Sequence, residues 1–133
     1  EMLKYLTENV VAVGPSGNVV GEQAEIKTRD DVKKHEYPSK EVSYVSGYCM
    51  LVKDVGIYFP EELPFYHNEI AWQALTEIKG YKSVWAKRAI VKHLGGATVK
   101  KHKMQYLEKE SKIPYEKFKR GLNRVREKSS NQT

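Results

Sequence analysis

The carboxylate of Glu69 stands where acid–base chemistry is possible, at the start of a helix predicted over residues 67–79. The free backbone N–H groups and the dipole at a helix N-terminus favour a negatively charged side chain there. A carboxylate held in this way can take a proton from a reacting hydroxyl, but it can equally serve only to stabilise the helix end. Glu62, in the turn-rich segment before the helix, is a second candidate.

Gly47 and His93 occupy positions where a ligand could approach the backbone. Gly47 interrupts a β-branched and aromatic run over residues 42–53, and a glycine inside a strand pattern marks a bulge or the close approach of another backbone or a ligand. His93 follows a short apolar run and precedes Gly95 and Gly96, which leave room for backbone to approach a phosphate. A histidine in this position is also often a hydrogen-bonded structural residue. No Cys and His spacing in the sequence is typical of zinc.

Four aromatic residues near these positions could offer ring faces to a sugar. They are Tyr48, Phe65, Tyr66 and Trp72. Aromatic side chains combine a large apolar surface with a flat face, and for the same reason they are natural core residues. Both interpretations stay open, and the core interpretation is the favoured one for Phe65 and Trp72.

Helical and strand-like segments alternate along the chain, which predicts an α/β layered fold. The predicted elements begin with a short opening helix that contains Met2, Leu3 and Leu6 and ends near Asn9, followed by a strand at 10–13 and the strand-like run at 42–53. A helix at 67–79, strand-like runs at 82–85 and 89–91, and a helical region from residue 98 that breaks before Pro114 and then resumes complete the set. The apolar face of the helix at 67–79 is formed by Ile70, Ala71, Ala74, Leu75 and Ile78. Gly80 ends that helix. Residues 18–41 lack a clear period and are expected to form a mobile surface segment.

The composition is typical of one soluble globular domain. Of its 133 residues, 40% are hydrophobic and 30% are charged, and the apolar stretches are far too short to span a bilayer. The single cysteine, Cys49, cannot form an intrachain disulfide and is expected to be a buried thiol. This fits a reducing compartment, and we expect a cytoplasmic location.

Positive charge is concentrated in residues 99–133, which carry eleven Lys and Arg against four Glu, a local charge of +7 in a chain of net charge +6. We therefore divide the chain into a domain over 1–98 and a basic amphipathic helical tail over 99–133. The tail is expected to be a solvated helix packed on the domain. Contact with an anionic membrane surface ranks second, and nucleic-acid binding ranks third. Nucleic acid ranks last because the aromatic residues lie at 44–85, away from the basic ones.

Three motifs, in their order along the chain, resemble glycosyltransferase family 2. They are V-S-G-Y-C-M-L-V at 45–52, F-Y-H-N-E at 65–69 followed by Gly80-Tyr81, and A-I-V-K-H-L-G-G at 89–96. The helix and strand over 2–14 resemble the segment that follows the family's Asp-x-Asp motif. The chain thus resembles the acceptor-side, C-terminal half of a catalytic domain with the GT-A-type fold.

The resemblance implies an inverting transfer of a sugar from a nucleotide-sugar donor to a hydroxyl of a carbohydrate or lipid-linked acceptor. It implies that Glu69 is the catalytic base and that His93 is a ligand of a divalent metal, Mn or Mg, or a contact of the diphosphate. The residues expected to bind the substrate are Gly47, Tyr48, Phe65, Tyr66, Asn68 and Trp72.

The second motif departs from the family pattern at two places. Asn68-Glu69 stands where the family has a Glu-Asp pair, and Leu75 or Thr76 stands where an arginine is common.

The donor-binding half of the family's fold has no counterpart in the sequence. The only acidic pair before the first motif is Asp30-Asp31, in a Lys-rich polar stretch without a preceding strand, so we do not expect it to replace Asp-x-Asp. By alignment that motif is expected just before Glu1. The alternative interpretation of the chain is a non-catalytic binding module that keeps the fold, with nucleic-acid binding through the tail as its less favoured form.

Overall fold

The computed structural model describes residues 1–15, 17–18, 39–63, 66–93 and 97–131. This part of the chain is a mixed α/β fold built on a four-stranded mixed sheet with helices. The strands are β1 (Val10–Gly14), β2 (Gly17–Asn18), β3 (Ser39–Val42), β4 (Tyr44–Val45), β5 (Leu51–Val52) and β6 (Lys82–Ala86). The helices are a 3₁₀ turn (Met2–Tyr5), α1 (Asn68–Ile78), α2 (Ala97–Lys101) and α3 (Tyr106–Ser130). Within these residues, no helix is both long enough and apolar enough to cross a membrane.

Strand β1 lies inside the sheet, whose strand order is β3-β6-β1-β5. All of its residues are buried, as suits an uninterrupted apolar run covered on both faces. It pairs in parallel with β6, Val13 opposite Val84, and antiparallel with β5, Val13 opposite Leu51. Strand β3 pairs antiparallel with the other side of β6. Parallel strands need a crossover connection, and α1 lies within the connection from β1 to β6.

The described residues form two core clusters. The first includes a residue of α1, and the second lies under the 3₁₀ turn and the residue that follows it. The first cluster is Val11, Ala12, Val42, Val45, Trp72 and Trp85. The second is Val10, Val13 and Ala86, covered in part by Met2, Tyr5 and Leu6. Both buried indoles donate their N–H to a main-chain oxygen, Trp72 to Ile57 at 2.7 Å and Trp85 to Pro15 at 3.0 Å. The polar edge of each ring is therefore satisfied inside the core.

The helix predicted at 67–79 is confirmed as α1, and Gly80 follows it with a φ of 89°. The Gly80 N–H donates to the Glu77 carbonyl at 2.9 Å, and the Tyr81 N–H donates to the Thr76 carbonyl at 3.1 Å. Glycine suits this left-handed position because it has no β-carbon.

The predicted apolar face of α1 is only partly correct. Its buried residues are Ala71, Trp72, Gln73 and Thr76, whereas Ile78 is exposed. The helix is rotated from the predicted orientation, so that a glutamine and a threonine face inwards, and these polar side chains have hydrogen-bond partners there.

The run at 42–53 is not one strand, contrary to the prediction. Val42 ends β3, while β4 pairs with β2 and β5 pairs with β1, and residues 46–50 turn between them. Gly47 and Tyr48 therefore lie in a turn. The strands predicted at 10–13 and 82–85 are confirmed as β1 and β6. The strand predicted at 89–91 is wrong, because the Ala89 N–H closes a turn onto the Ala86 carbonyl at 3.0 Å.

The segment at 18–41, predicted to be mobile, contributes strand residues at both of its ends. Residues 39–41 belong to β3, and Asn18 pairs with Tyr44 in the two-stranded sheet of β2 and β4. Strand pairing holds both ends of the segment in place. The prediction of a mobile segment is therefore wrong for residues 18 and 39–41. Residues 19–38, including Asp30-Asp31, lie outside the described residues.

The basic tail forms α2 and α3, separated by a turn at 102–105. The predicted break before Pro114 is wrong, because α3 continues through this proline. An interior proline removes one backbone hydrogen bond, and packing against a neighbouring element can offset that loss. Leu122 of α3 is buried, and the Arg126 guanidinium lies 3.4 Å from the Glu77 carboxylate of α1. These contacts agree with a tail helix packed on the domain.

Candidate functional site

Glu69 and Gly47, which are far apart in the sequence, are in direct contact. A β-carbon placed on Gly47 would lie 2.7 Å from Cγ and 2.9 Å from Cδ of Glu69. The carboxyl-bearing side chain therefore lies over the Gly47 α-carbon, and a larger residue at position 47 would displace it. The sequence predicted a backbone or a ligand as the close neighbour of Gly47, but within the chain this neighbour is the Glu69 side chain.

The amide of Gln73 fixes the position of α1 against β4. Its Oε1 accepts a hydrogen bond from the Val45 N–H at 2.7 Å, and its Nε2 donates to the Val45 carbonyl at 2.9 Å. The same Nε2 also donates to the carbonyl of Glu69 at 3.0 Å. Gln73 thus pairs with Val45 as a neighbouring strand would. Because Glu69 lies one helical turn before Gln73 and Gly47 lies two residues after Val45, this pairing brings Glu69 and Gly47 together.

Gln73→Leu is expected to lower the free energy of unfolding by about 2–4 kcal/mol, because both main-chain groups of Val45 lose their buried partner. Chemical denaturation measures the change. Thr76→Val is the matched control, because Thr76 is equally buried on the same helix but donates only to the Gln73 carbonyl, at 2.8 Å. Equal losses of stability in the two variants would contradict a special role for Gln73.

Tyr48 and His93 stack on each other next to this contact. Their ring centres are 4.1 Å apart and their planes differ by 7°. Tyr48 directly follows Gly47, so the stacked pair adjoins the position of Glu69. Tyr48 is 40% exposed and His93 is exposed, so both rings can be reached from solvent.

On the helix side of Glu69, His67 stacks on Tyr115 of the tail helix α3. The ring centres are 4.3 Å apart and the planes differ by 18°. Tyr66 lies beside His67 with its ring centre at 6.3 Å. His67 is the residue before α1 and has a φ of 66°, a left-handed conformation that is uncommon for a residue with a side chain. Such conformations persist where the surrounding structure holds them, and they cluster at functional sites.

The charges around Tyr115 include that of Glu69. Burial raises the pKa of Tyr115 above its ordinary value, and the Tyr44, Glu116 and Glu69 groups add to the increase. The Lys119 ammonium, 4.9 Å from the centre of the ring, acts in the opposite direction. Tyr115 is therefore a neutral phenol at neutral pH, able to donate and to accept a hydrogen bond.

Six residues lie close to one another here, and we call them the Glu69 cluster. Three contacts join them in pairs: His93 with Tyr48, Gly47 with Glu69, and His67 with Tyr115. The pairs are neighbours in the sequence, since Tyr48 follows Gly47 and His67 lies two residues before Glu69. The cluster combines one carboxylate, two imidazoles and two phenol rings around a glycine. This set of groups can accept a proton and can present flat apolar faces to a ligand.

The other residues predicted to bind substrate lie in different surroundings. Asn68 is the first residue of α1, half-buried, and Tyr66 borders the Glu69 cluster through His67. Trp72 is 2% exposed and stacks on Phe59 with ring centres 5.1 Å apart. It is a core residue and offers no exposed ring face, which corrects its assignment to substrate binding. Phe65 lies outside the described residues.

One further prediction needs correction, and the second candidate for a base lies apart from the Glu69 cluster. Cys49 was expected to be buried and is only partly so. Glu62, the second candidate for a base, is exposed and lines a groove between α1 and α3.

Three residues of the site were not predicted from the sequence. Gln73 belongs to no motif, and only its place on the buried face of α1 shows its role. Tyr115 was predicted only to pack the tail onto the domain. His67 lies within the second motif but had no signal of its own, since its left-handed backbone and its stacking on Tyr115 depend on the tertiary structure.

The described residues do not by themselves fit a metal centre. Among them, no three His, Cys, Asp or Glu side chains come together as a group that could hold a metal ion. A divalent cation usually takes several oxygen or nitrogen ligands at once, and His93 would supply only one. A divalent metal at His93 therefore stays a prediction that rests on the family resemblance.

No protein-family model matches this sequence, and comparisons with curated proteins and with solved structures give no significant match. The resemblance to glycosyltransferase family 2 thus rests on the three sequence motifs.

Proposed function

We propose that this chain is the acceptor-side part of a glycosyltransferase that moves a sugar from a nucleotide-sugar to an acceptor hydroxyl with inversion. The observation that carries the proposal is the contact between the Glu69 carboxylate and Gly47. The motif containing Gly47 and the motif containing Glu69 are independent parts of the family resemblance. Their side-by-side placement is what a shared acceptor site would require.

In the proposed reaction, Glu69 takes the proton of the acceptor hydroxyl while the hydroxyl oxygen attacks the anomeric carbon of the donor. The new carbon–oxygen bond forms as the bond to the diphosphate oxygen breaks, and that bonding pair leaves with the nucleoside diphosphate. Attack opposite to the leaving group inverts the anomeric configuration. A positioned carboxylate contributes roughly 10²–10⁴-fold to such a step.

Two groups around Glu69 would orient the acceptor, and a third would hold Glu69 in place. Tyr48 is half-exposed beside Gly47, and its ring can lie against the apolar face of a sugar. Tyr115 can hydrogen-bond a sugar hydroxyl as a neutral phenol. Gln73 acts through Glu69 and is a positioning residue, because it holds the first turn of α1 against β4.

The proposal is tested with the natural polypeptide that contains this sequence. It is incubated with UDP-, GDP- and dTDP-sugars, Mn²⁺ or Mg²⁺, and mono- and disaccharide or lipid-linked acceptors. Release of nucleoside diphosphate that depends on the acceptor, with inverted anomeric configuration by NMR, is the expected result. If calorimetry detects no binding of any nucleotide and no transfer occurs, the enzyme proposal fails and a non-catalytic binding module takes its place.

The resemblance implies that the His93 imidazole is a ligand of the metal or of the diphosphate. His93→Ala is therefore expected to weaken metal-dependent binding of the nucleotide by on the order of tenfold. Isothermal titration of the nucleoside diphosphate with and without Mn²⁺ measures the effect. His93→Phe is the control variant, because it keeps a ring to stack on Tyr48 but has no nitrogen.

The two variants separate ligation from stacking. Loss in both variants supports a nitrogen ligand at position 93. Wild-type behaviour of His93→Phe with loss only in His93→Ala would mean that the ring acts by supporting Tyr48 at 4.1 Å. An unchanged metal dependence in both variants would remove His93 from the site.

A further inference from the structure

A groove of about 950 Å³ runs between α1 and α3, on a different side of α1 from its buried face. Its apolar lining comes from Ile57, Leu75, Ile78, Pro114, Phe118 and Leu122. Ile113, at its border, is 77% exposed. An open apolar surface of this kind, with contributions from both walls, is characteristic of a binding site and is unfavourable if it stays in contact with water.

Gly121 lines this groove at a position where the chain itself does not require a glycine. It lies inside α3, and a β-carbon placed on it would meet no described atom within 4 Å. Glycine in a helix interior is less stable than alanine by about 1 kcal/mol. Elsewhere in this chain, at Gly14 and Gly47, a glycine is explained by a neighbour that leaves no room for a β-carbon. Among the described residues no such neighbour is present at position 121, so the groove is open to a close approach there.

A row of cations borders the groove along α3. Lys117, Arg120 and Arg124 line one shallow depression together with Asn123 and Glu127, so cations outnumber the single carboxylate there. Lys117 and Arg124 also line the groove. Their spacing of three and four residues places them on one face of the helix, and Lys117 and Arg124 are about 10.5 Å apart along its axis. Lys79, directly after α1, adds positive charge, and among the described residues of the lining Glu62 is acidic.

We propose that the groove between α1 and α3 is a docking site for an acidic amphipathic helix of a partner protein. The apolar side of such a helix would lie in the groove, its backbone would come close at Gly121, and its acidic residues would pair with the cation row. The three cations are spaced by about one and two helical turns along α3. This spacing matches that of acidic residues at positions i, i+3 or i+4, and i+7 of a docked helix. This inference does not depend on the proposed sugar transfer.

The two other possible occupants fit less well. A membrane surface is broad and cannot enter a groove between two helices, and it would not need a glycine in the lining. A second copy of α3 would bring a basic helix against a basic helix, since the tail has a local charge of +7. Like charges placed opposite each other oppose association.

The test uses synthetic helical peptides and the full chain. One peptide carries leucines at positions a and d and a row of glutamates on one flank, and the other has lysines in place of the glutamates. We expect fluorescence anisotropy to show binding of the glutamate peptide, at least tenfold tighter than the lysine peptide. Gly121→Leu should weaken binding at least tenfold, and Gly121→Ala should have a smaller effect. Both should keep or raise the melting temperature, because each replaces a helical glycine whose β-carbon position is open.

Charge reversal makes the test decisive. In the double variant Lys117→Glu, Arg124→Glu, the glutamate peptide should lose its affinity and the lysine peptide should gain it. The proposal is overturned if the two peptides bind the wild type equally or if Gly121→Leu binds like the wild type. It is also overturned if phosphatidylserine vesicles compete fully with the peptide, or if sedimentation shows a dimer that Gly121→Leu abolishes, because the occupant would then be a membrane or a second copy.

Discussion

Glu69→Gln is expected to lower the rate of sugar transfer by about two to four orders of magnitude while leaving the fold and donor binding intact. Glutamine keeps the size and shape of the side chain over Gly47, but its amide cannot accept the proton of the acceptor hydroxyl. The interactions that position α1 are made by Gln73 and by the main chain of residue 69, so the substitution does not disturb them. Initial rates with saturating donor and acceptor, together with calorimetric binding of the nucleotide-sugar, measure the two parts of this prediction.

The control for this variant is Glu62→Gln, which changes the second candidate carboxylate in the same way. Glu62 is exposed in the groove between α1 and α3, and it is expected to have no effect on the transfer rate. Normal turnover by Glu69→Gln would exclude Glu69 as the base. Loss of turnover in Glu62→Gln alone would move that role to Glu62.

The elements with a strong local signal could be predicted from the sequence. Strand β1 is an apolar run long enough to define a buried strand without reference to its partners. Helix α1 has helical periodicity and a glycine stop, both of which are encoded within a few turns. For such elements the local preference and the tertiary structure agree, as minimally frustrated sequences require.

The orientation of α1 could not be predicted, because it depends on contacts with distant residues. The apolar pattern favoured a face containing Ile70, Ala74 and Ile78, whereas the structure buries Gln73 and Thr76. A buried glutamine is unfavourable unless it is hydrogen-bonded, and its partners belong to Val45, which is remote in the sequence. Hydrophobic periodicity gives no weight to such a polar contact.

The candidate site could be predicted only in part, because it also depends on contacts between residues that are distant in the sequence. Gly47 and Glu69 could be singled out from their residue types and positions. The stacking of Tyr115 on His67 could not, because it requires the tail helix to pack on the domain beside the start of α1. The uninterrupted course of α3 through Pro114 is a further consequence of that packing, which local sequence rules do not include.

Gly47→Ala is expected to reduce the transfer rate by on the order of 10²-fold with little loss of stability. The added methyl group would lie 2.7 Å from Cγ of Glu69, so the carboxylate must leave its place over the turn. The displaced atoms belong to the flexible part of a side chain, which can rotate away. An alanine also restricts the unfolded chain, and this offsets part of any strain in the folded state. Transfer kinetics and chemical denaturation of the same preparation measure both effects.

Gly14→Ala is the matched control, because it meets a neighbour that cannot rotate away. Its β-carbon would lie 2.8 Å from Cβ of buried Val45 and 3.2 Å from the Cys49 carbonyl oxygen. Crowding of a packed core typically lowers the free energy of unfolding by about 1–3 kcal/mol. We therefore expect Gly14→Ala to lose stability and Gly47→Ala to lose activity. If Gly47→Ala instead retains full activity, the position of Glu69 over Gly47 is not required for transfer, and the contact on which the proposed function rests has only a structural role.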